Sequence, residues 1–282
     1  MAINLAEKYS SKVDERFKLK SLSGAFVNNN YDWEGVSTVN VYSIPTVPLN
    51  DYEKSGTNRY GTPEELEDNK QTMTVKEDKS FTFTIDKGNA QDQLNVKAAG
   101  KALRREIDEV IVPTRDIYNF KTICKAGIEN GGTNETATAI NKTNAYEMFL
   151  NGQEFLDDKK VPLAGRIAAV TPATYKFLKL DPAFVKNSDL GQKITINGQV
   201  GEVDGVKIVK VPTSYLPVGV GFIITHSSVT CAPKKLEDYK IHKDPPGING
   251  NLVEGRTRYD AFVLDSKKDG IYVHQNTTVT VE

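Results

Sequence analysis

The segment from residue 35 to residue 88 constrains the fold most, because it favours strands but lacks the large apolar side chains of a self-sufficient core. Residues 36–47 are rich in β-branched residues, and residues 81–85 alternate apolar side chains with threonines, as a half-buried strand does. The alternating apolar residues are Phe81, Phe83 and Ile85. A long polar stretch, residues 50–70, separates the two, so we expect an extended two-stranded hairpin.

The tip of this expected hairpin, within residues 50–70, is polar and charged. Residues 62–65 read TPEE, which predicts one helical turn with threonine as N-cap and proline at the first helical position. An isolated hairpin is marginally stable in water, so this one needs a partner surface. That surface belongs to its own domain or to another subunit, and the scarcity of large apolar residues favours another subunit.

Residues 1–34 begin with a narrow apolar stripe. Leu5, Tyr9, Val13 and Phe17 follow one another at intervals of four residues, with charged and polar residues between them. This spacing predicts a short amphipathic helix. Two interpretations remain open, because the helix could pack on its own domain or be an arm that docks on another chain.

Residues 90–128 predict a long helical spine. Apolar residues recur at helical spacing from residue 94 to residue 111, with charged residues on the opposite face. Pro113 lacks an N–H group and clashes with the preceding turn, so we expect the helix to end or kink there. A second helix is expected from residue 114 to residue 128.

The remaining sequence alternates strands with short helices, which predicts an α/β unit over residues 133–220 and a return to strands over residues 221–282. Within it, residues 166–170 read as a buried strand, Thr171-Pro172 as a helix cap and Asp204-Gly205 as a tight turn. We expect residues 258–264 and 271–280 to pair as a closing hairpin. Strands on both sides of the spine indicate an α+β fold.

Composition excludes several classes of protein. The 282 residues carry 36 basic and 37 acidic side chains, and a pI near 6.4 argues against a nucleic-acid-binding domain, which is typically basic. No apolar run approaches the length of a membrane span, and we expect no signal peptide, because residues 1–30 contain no apolar core. The two cysteines cannot form a disulfide framework and suit a reducing cytosol.

Side chains that could carry catalysis or bind metals are scattered. The three histidines show no i, i+4 pairing and neither cysteine has a CxxC neighbour, so no zinc site is expected. The sequence contains no GxSxG elbow and no phosphate-binding glycine loop, and adjacent carboxylates such as Glu64 and Glu65 are typical of a solvated surface. We therefore predict no catalytic residue, no cofactor-binding residue and no metal ligand, and hence a protein that is not an enzyme.

Three strings of residues resemble the major capsid proteins of tailed bacteriophages, whose HK97-type fold is shared by encapsulin shells. Residues 110–120 read VIVPTRDIYNF and resemble the family's bend in its spine helix. Residues 201–212 read GEVDGVKIVKVP and resemble its strand pair. Residues 255–263 and 267–272 read GRTRYDAFV and KKDGIY and resemble its closing hairpin. The resemblance covers nearly the whole chain, with five elements in the family's order.

The resemblance implies an α+β fold of the HK97-like capsid type with four parts. The N-terminal arm would be residues 1–34, and the extended hairpin, or E-loop, residues 35–89. The peripheral domain would combine residues 90–132, which contain the spine helix, with residues 221–282, which return into the peripheral β-sheet. The axial α/β domain would be residues 133–220. Because the hairpin begins near residue 35, we expect a separate scaffolding protein instead of the cleavable scaffolding segment of some relatives.

The resemblance also implies a coat protein that self-assembles into the pentamers and hexamers of an icosahedral head around double-stranded DNA. It implies no sequence-specific DNA binding, no membrane, a portal protein as partner, assembly in the bacterial host cytoplasm and a final location in the virion. The implied inter-subunit contacts are Leu5, Tyr9, Val13, Phe17, Tyr52, Arg59, Tyr60, Glu64, Glu65, Phe81, Phe83 and Ile85. Two alternatives remain open, namely an encapsulin-like nanocompartment with protein cargo and an unrelated soluble α+β binding protein.

Overall fold

The computed structural model describes residues 20–28, 38–88, 99–183 and 201–279. These residues form a mixture of helices and mainly antiparallel sheets, which confirms the predicted α+β class. The amphipathic helix predicted near the N-terminus lies outside the described residues, as does the predicted start of the spine between residues 90 and 98.

The predicted spine is a continuous helical run with three parts. They are α1 (Ala99–Glu106), a π-helical segment (Ile107–Ile111) and α2 (Val112–Glu129). Pro113 therefore does not end the helix. The N–H of Val112 donates to the carbonyl of Ile107, five residues earlier, and this wider turn accommodates the proline that follows it.

A mixed five-stranded sheet provides most of the core. In spatial order its strands are β13 (Ile271–Gln275), β8 (Val220–His226), β5 (Arg166–Val170), β7 (Val206–Lys210) and β6 (Glu202–Val203). The neighbours β5 and β7 are parallel, and the other pairs are antiparallel. Every residue of β5 and β13 is buried, so both faces of the sheet are covered. The sheet takes strands from both sides of residue 220, where the sequence suggested a boundary.

Helices cover the two faces of this sheet. On one face, α3 (Ala145–Asp158) and α4 (Pro172–Leu180) pack around the buried Phe149. On the other face, α2 packs through Phe120. The helix comes very close to β13 at Gly127, where a Cβ atom would lie 2.7 Å from the Cγ2 atom of Val273, so a side chain there would force the two elements apart.

Three ten-residue strands form a second sheet. Its order is β10 (Lys234–Lys243), β11 (Gly250–Tyr259) and β4 (Glu77–Asp86), and both pairs are antiparallel. The strand predicted at residues 81–85 therefore exists, but it pairs with β11 and not with residues 36–47. An alternating pattern identifies a strand without identifying its partner, so pairing it with the preceding strand was wrong.

The hairpin consists of β2 (Thr38–Ser43) and β3 (Asn69–Thr74), which pair antiparallel along their whole length. Residues 44–68 connect the two strands and contain neither helix nor strand. The helical turn predicted at residues 62–65 is therefore wrong. One capping pattern does not offset the cost of nucleating a helix where no neighbouring surface supports it.

A small third sheet joins the two ends of the described chain. Its strands are β1 (Val27–Asn28), β9 (Thr230–Cys231) and β12 (Phe262–Val263), in that order. The predicted closing hairpin is wrong, because β12 pairs with β9 while β13 pairs with β8. A 3-10 segment, Asp265–Gly270, carries the chain from one sheet to the other.

Two local predictions are confirmed. The Thr171 hydroxyl accepts a hydrogen bond from the N–H of Thr174 (3.3 Å) and so caps α4, with Pro172 in its first turn. Asp204 and Gly205 both have positive φ, 47° and 77°, as the turn of a tight hairpin between β6 and β7 requires. Both signals are local, and neither depends on a distant partner.

His274 in β13 is a buried titratable group. Its ring stacks on Phe222 with centroids 5.0 Å apart, and its Nε2 donates to the carbonyl of Thr138 (2.9 Å). Burial lowers the pKa of His274, because the charged form would lose its hydration. The folded state therefore favours the neutral form of this histidine.

We predict that acid destabilises the fold through His274. As the pH falls through about 6.5, the ordinary pKa of an exposed histidine, the unfolded chain takes up more protons at this position than folded His274 does, so the free energy of unfolding falls. The change His274→Gln keeps a hydrogen-bond donor but does not titrate. Urea unfolding at about pH 7.5 and about pH 5 should show a smaller decline for the variant than for the wild type. Equal declines would contradict the prediction.

Candidate functional site

The connecting loop of the hairpin, residues 44–68, exposes more large apolar side chains than its own fold explains. Leu49 is fully exposed, and Tyr60 is 85% exposed. The other exposed apolar residues of the loop are Ile44, Val47, Tyr52 and Leu66. A contiguous segment of this kind marks an interaction surface more often than scattered exposed apolar residues do.

The tip of the loop is shaped by its own contacts. The rings of Tyr52 and Tyr60 meet edge to face with centroids 5.0 Å apart, and the N–H of Glu53 donates to the carbonyl of Arg59 (3.1 Å). The Arg59 guanidinium also donates to the carbonyl of Gly56 (3.2 Å). The structure therefore brings the predicted contact residues Tyr52, Arg59 and Tyr60 together in one small turn.

The same tip is acidic. Residues 51–68 contain six carboxylates, including the predicted contacts Glu64 and Glu65, but only two basic residues, Lys54 and Arg59. All eight side chains are exposed, and within the described residues none of them forms an ion pair. A basic or hydrogen-bonding surface would therefore complement the tip.

The root of the hairpin is fixed to the rest of the molecule by a small apolar cluster and by one amide. Val39, Val41 and Met73 are buried together with Leu264. The Gln71 amide nitrogen donates to the carbonyl of Val263 (3.0 Å), and its amide oxygen accepts from the N–H of Asp265 (3.1 Å). The hairpin thus has a firmly held base and an exposed end.

The buried carboxylate of Asp260 connects residue 76, just after the hairpin, to the spine helix. It accepts hydrogen bonds from the Tyr118 hydroxyl (2.6 Å) and from the backbone N–H groups of Lys76 (3.0 Å) and Ala261 (2.8 Å). Burial, followed by the hydrogen bond to Asp260, raises the pKa of Tyr118. Because Lys76 lies in the two-residue link between β3 and β4, this network fixes where the hairpin leaves the second sheet.

The N-terminal segment is held by a second buried carboxylate, Asp116 of α2. It accepts hydrogen bonds from the Ser21 hydroxyl (2.8 Å), the Leu22 N–H (2.7 Å) and the Ser23 hydroxyl (2.6 Å). Phe26, just downstream, is fully buried. The predicted arm contacts Leu5, Tyr9, Val13 and Phe17 lie outside the described residues, but the chain enters the described fold at a well-defined point.

The predicted contacts on β4 occupy different environments. Ile85 is 7% exposed and so is covered by its own chain, whereas Phe81 and Phe83 are half-buried. Phe83 borders an open groove between β4 and the helix, whose apolar walls also include Ala102 and Val110. The polar rim of the groove consists of Arg105, Glu106 and Glu109.

The opposite face of the second sheet is a ladder of paired charges. Arg256 binds Asp78 with two hydrogen bonds of 2.9 and 2.6 Å, and this contact is the main reason that the pKa of Asp78 is lowered. On the edge strand β10, the Nζ atom of Lys240 lies 2.8 Å from a carboxylate oxygen of Asp238, two residues earlier on the same strand. Exposed pairs of this kind add little stability, but charges along an edge strand discourage unwanted strand pairing.

The part of the chain that the structure describes contains no cluster of three or more histidine, cysteine, aspartate or glutamate residues that could hold a metal ion. Cys124 and Cys231 are both buried, and burial raises the pKa of the Cys124 thiol. Among the described residues, no helix is long and apolar enough to cross a membrane.

Sequence reasoning did not identify the three residues that hold the base of the hairpin and the N-terminal segment 21–23, namely Gln71, Asp116 and Asp260. Asp116 lies within VIVPTRDIYNF, so the family string marked its position but not its role. Asp260 likewise lies within GRTRYDAFV, whereas Gln71 lies in none of the three strings. Both residues bond to a residue more than 180 positions away, so their roles do not follow from their neighbours in the sequence.

No model of a known protein family and no curated protein sequence matches this chain. Solved structures do match its fold. A structure from Mycobacterium phage Che8 has a TM-score of 0.75 at 16% identity, covering 95% of this chain and 96% of that chain. The mature capsid of bacteriophage PhiM1 (0.70, 14%, covering 96% and 91%) and the capsid of cyanophage P-SCSP1u (0.69, 13%, covering 95% and 91%) match similarly. The chain therefore has the fold of phage capsid proteins.

Proposed function

We propose that this chain is the major capsid protein of a tailed bacteriophage. It would form the pentamers and hexamers of an icosahedral head that encloses double-stranded DNA. The observation that carries the proposal is the likeness of fold to phage capsid structures over at least 95% of the chain. The exposed apolar and acidic hairpin loop supports it, because a shell subunit needs surfaces that become buried only on assembly.

We assign the parts of the chain to the roles that the HK97-type resemblance implies. Residues 1–34 are the N-terminal arm, and residues 35–89 are the E-loop. Residues 90–132 and 221–282 make up the peripheral domain with its spine helix, and residues 133–220 make up the axial domain. The five-stranded sheet runs through both domains, so we expect them to move largely as one unit.

The hairpin loop is the main candidate for contact with a neighbouring subunit. We place its apolar row, Ile44, Val47 and Leu49, in the neighbour's groove beside Phe83 and Val110. Full burial of one such aliphatic side chain contributes about 1.5–3 kcal/mol. The acidic tip, with Glu64 and Glu65, would then meet polar or basic groups beyond the groove.

Repetition converts such modest contacts into a stable shell. Heterologous contacts close into rings when the rotation between subunits is right, and each subunit is then held by several neighbours at once. The stripe of Leu5, Tyr9, Val13 and Phe17 would add a further contact. Because each contact is weak alone, wrongly placed subunits can dissociate before the shell closes.

The proposed partners follow from this role. The chain would bind copies of itself, a separate scaffolding protein and a portal protein, in the host cytoplasm and then in the virion. Its formal net charge of −1 suits a wall around DNA, because a strongly basic wall would bind phosphates and impede packing and ejection.

Electron microscopy and light scattering of the purified chain, with and without its scaffolding protein, test the proposal. We expect rings or closed shells. A protein that stays monomeric under both conditions would contradict shell assembly. Double-stranded DNA inside native particles would support a phage head, whereas a protein cargo without DNA would identify an encapsulin-like compartment.

We predict that Leu49→Ser strongly reduces shell formation without affecting folding. The side chain is fully exposed in the subunit, so its loss costs no intramolecular contact. Val218, 95% exposed on a different loop, provides the matched control. Sedimentation should show subunits for Leu49→Ser and shells for Val218→Ser. Normal shells from the Leu49 variant would rule out its docking role.

A further inference from the structure

The roots of the two arms meet on the same turn of α2. Asp116 bonds the N-terminal segment, and Tyr118, two residues later, bonds Asp260 at the base of the hairpin. We infer that residues 116–120 form a common anchor, which holds the N-terminal arm and the hairpin in a fixed mutual orientation and so positions both for assembly. The part of this inference that concerns assembly rests on the proposed function.

The N-terminal side of the anchor uses both oxygens of a fully buried carboxylate. Asp116 is 1% exposed and accepts three hydrogen bonds from residues 21–23. The Ser23 hydroxyl also accepts from the Asn119 amide (2.9 Å), one turn along the helix. Phe26 then packs edge to face on Phe120, with centroids 5.2 Å apart. Three side chains within about one turn of α2, those of Asp116, Asn119 and Phe120, therefore contact residues 21–26 of the N-terminal segment.

The hairpin side of the anchor uses a different side of the same turn. The Tyr118 hydroxyl donates to one oxygen of Asp260, and the other oxygen accepts from the N–H of Lys76. The Tyr118 ring meets Tyr259 edge to face, with centroids 5.6 Å apart. The side chain of Asp260 thus connects the spine helix to the link between β3 and β4 through hydrogen bonds on both of its oxygens.

The chemistry of the anchor favours positioning over simple adhesion. Apolar packing alone would hold the N-terminal segment at a lower desolvation cost than the burial of a carboxylate requires. Hydrogen bonds to a buried carboxylate instead fix direction, because they weaken steeply when distance or angle changes. An arm that must reach a particular site on a neighbour needs a defined direction of departure.

The orientation can be measured in the unassembled full-length chain. Spin labels at Lys20→Cys and Thr74→Cys would report the distance between the two roots, since both positions are exposed and both native cysteines are buried. We expect a narrow distance distribution in the wild type and a broadened one in Asp116→Asn and Tyr118→Phe. Unchanged distributions in both variants would overturn the anchor, whether or not the wild type assembles.

Assembly tests the second half of the inference. The matched control is Thr174→Val, which removes two buried hydrogen bonds without touching either root. The Thr174 hydroxyl donates to the carbonyl of Gly221 (3.0 Å) and accepts from the Thr171 hydroxyl (2.9 Å). Asp116→Asn and Tyr118→Phe should lower the yield of closed shells roughly ten-fold or more. The reason is that the N-terminal arm and the hairpin can then no longer contact neighbouring subunits at the same time. Thr174→Val should assemble normally. A broadened distribution with normal shells, or an equal loss in the control, would overturn the role of the anchor in assembly.

Discussion

Replacing residues 44–68 with an Asn-Gly turn is expected to give a folded subunit that forms no shells. Ser43 and Asn69 are cross-strand partners at the end of the hairpin, so a short turn can join them without disturbing β2 or β3. The deleted loop provides little of the subunit's own core, and the free energy of unfolding should change by less than about 1 kcal/mol. Circular dichroism with urea unfolding measures the fold, and electron microscopy measures the shells.

A second variant separates the length of the loop from its side chains. It keeps 25 residues between β2 and β3 but replaces them with glycine and serine. We expect this variant also to remain folded and unassembled, because the apolar row and the acidic tip are absent. Unfolding of the shortened variant would show that the loop serves its own subunit, and shells from the Gly-Ser variant would show that its side chains are dispensable.

The largest loss of stability is expected from Phe120→Ala. Phe120 is fully buried, contacts Phe26 and lies in the core cluster between α2 and the five-stranded sheet. Truncation of a buried phenylalanine to alanine typically costs about 3–5 kcal/mol, because transfer energy is lost and a cavity remains. Equilibrium urea unfolding should show this as a lower midpoint.

Tyr60→Ala is the matched control for that loss. Its ring is exposed at the hairpin tip, so the free energy of unfolding should change by less than about 0.5 kcal/mol while assembly is weakened. Phe120→Ala should therefore lower the free energy of unfolding, whereas Tyr60→Ala should lower shell formation and leave the free energy of unfolding nearly unchanged. A comparable stability loss in both would mean that the tip packs on the subunit in solution.

Local features of the fold could be predicted from the sequence, and pairings between distant segments could not. The buried strand at residues 166–170, the cap at Thr171 and the turn at Asp204 depend on neighbouring residues. The pairing partner of β4 is β11, whose residues lie more than 160 positions further along the chain. The predictions of hairpin and closing-strand pairing failed for this reason.

The candidate surface was predicted in part. The polar tip and its exposed Tyr52 and Tyr60 followed from composition, because a long stretch without apolar periodicity cannot form its own core. Ile85 shared the alternating pattern of Phe81 and Phe83, and only the packing of β4 against its neighbours shows that it is buried. The sequence predicted Ile44 and Val47 as part of the strand at residues 36–47, but β2 ends at Ser43 and both side chains are exposed in the loop. Their exposure depends on the absence of a covering element, which no sequence pattern records.

The link between the hairpin and the second sheet has a mechanical consequence. Only Val75 and Lys76 separate β3 from β4, and β4 is bonded to β11 over ten consecutive cross-strand pairs. A neighbour that pulls on the hairpin, as internal pressure would make it do in a filled head, loads β4 through this short link. Where that tension runs along the strand, the hydrogen bonds of the pair are sheared together and do not open one after another. The hairpin would then act as a tension-bearing strap whose anchorage is spread over a whole strand.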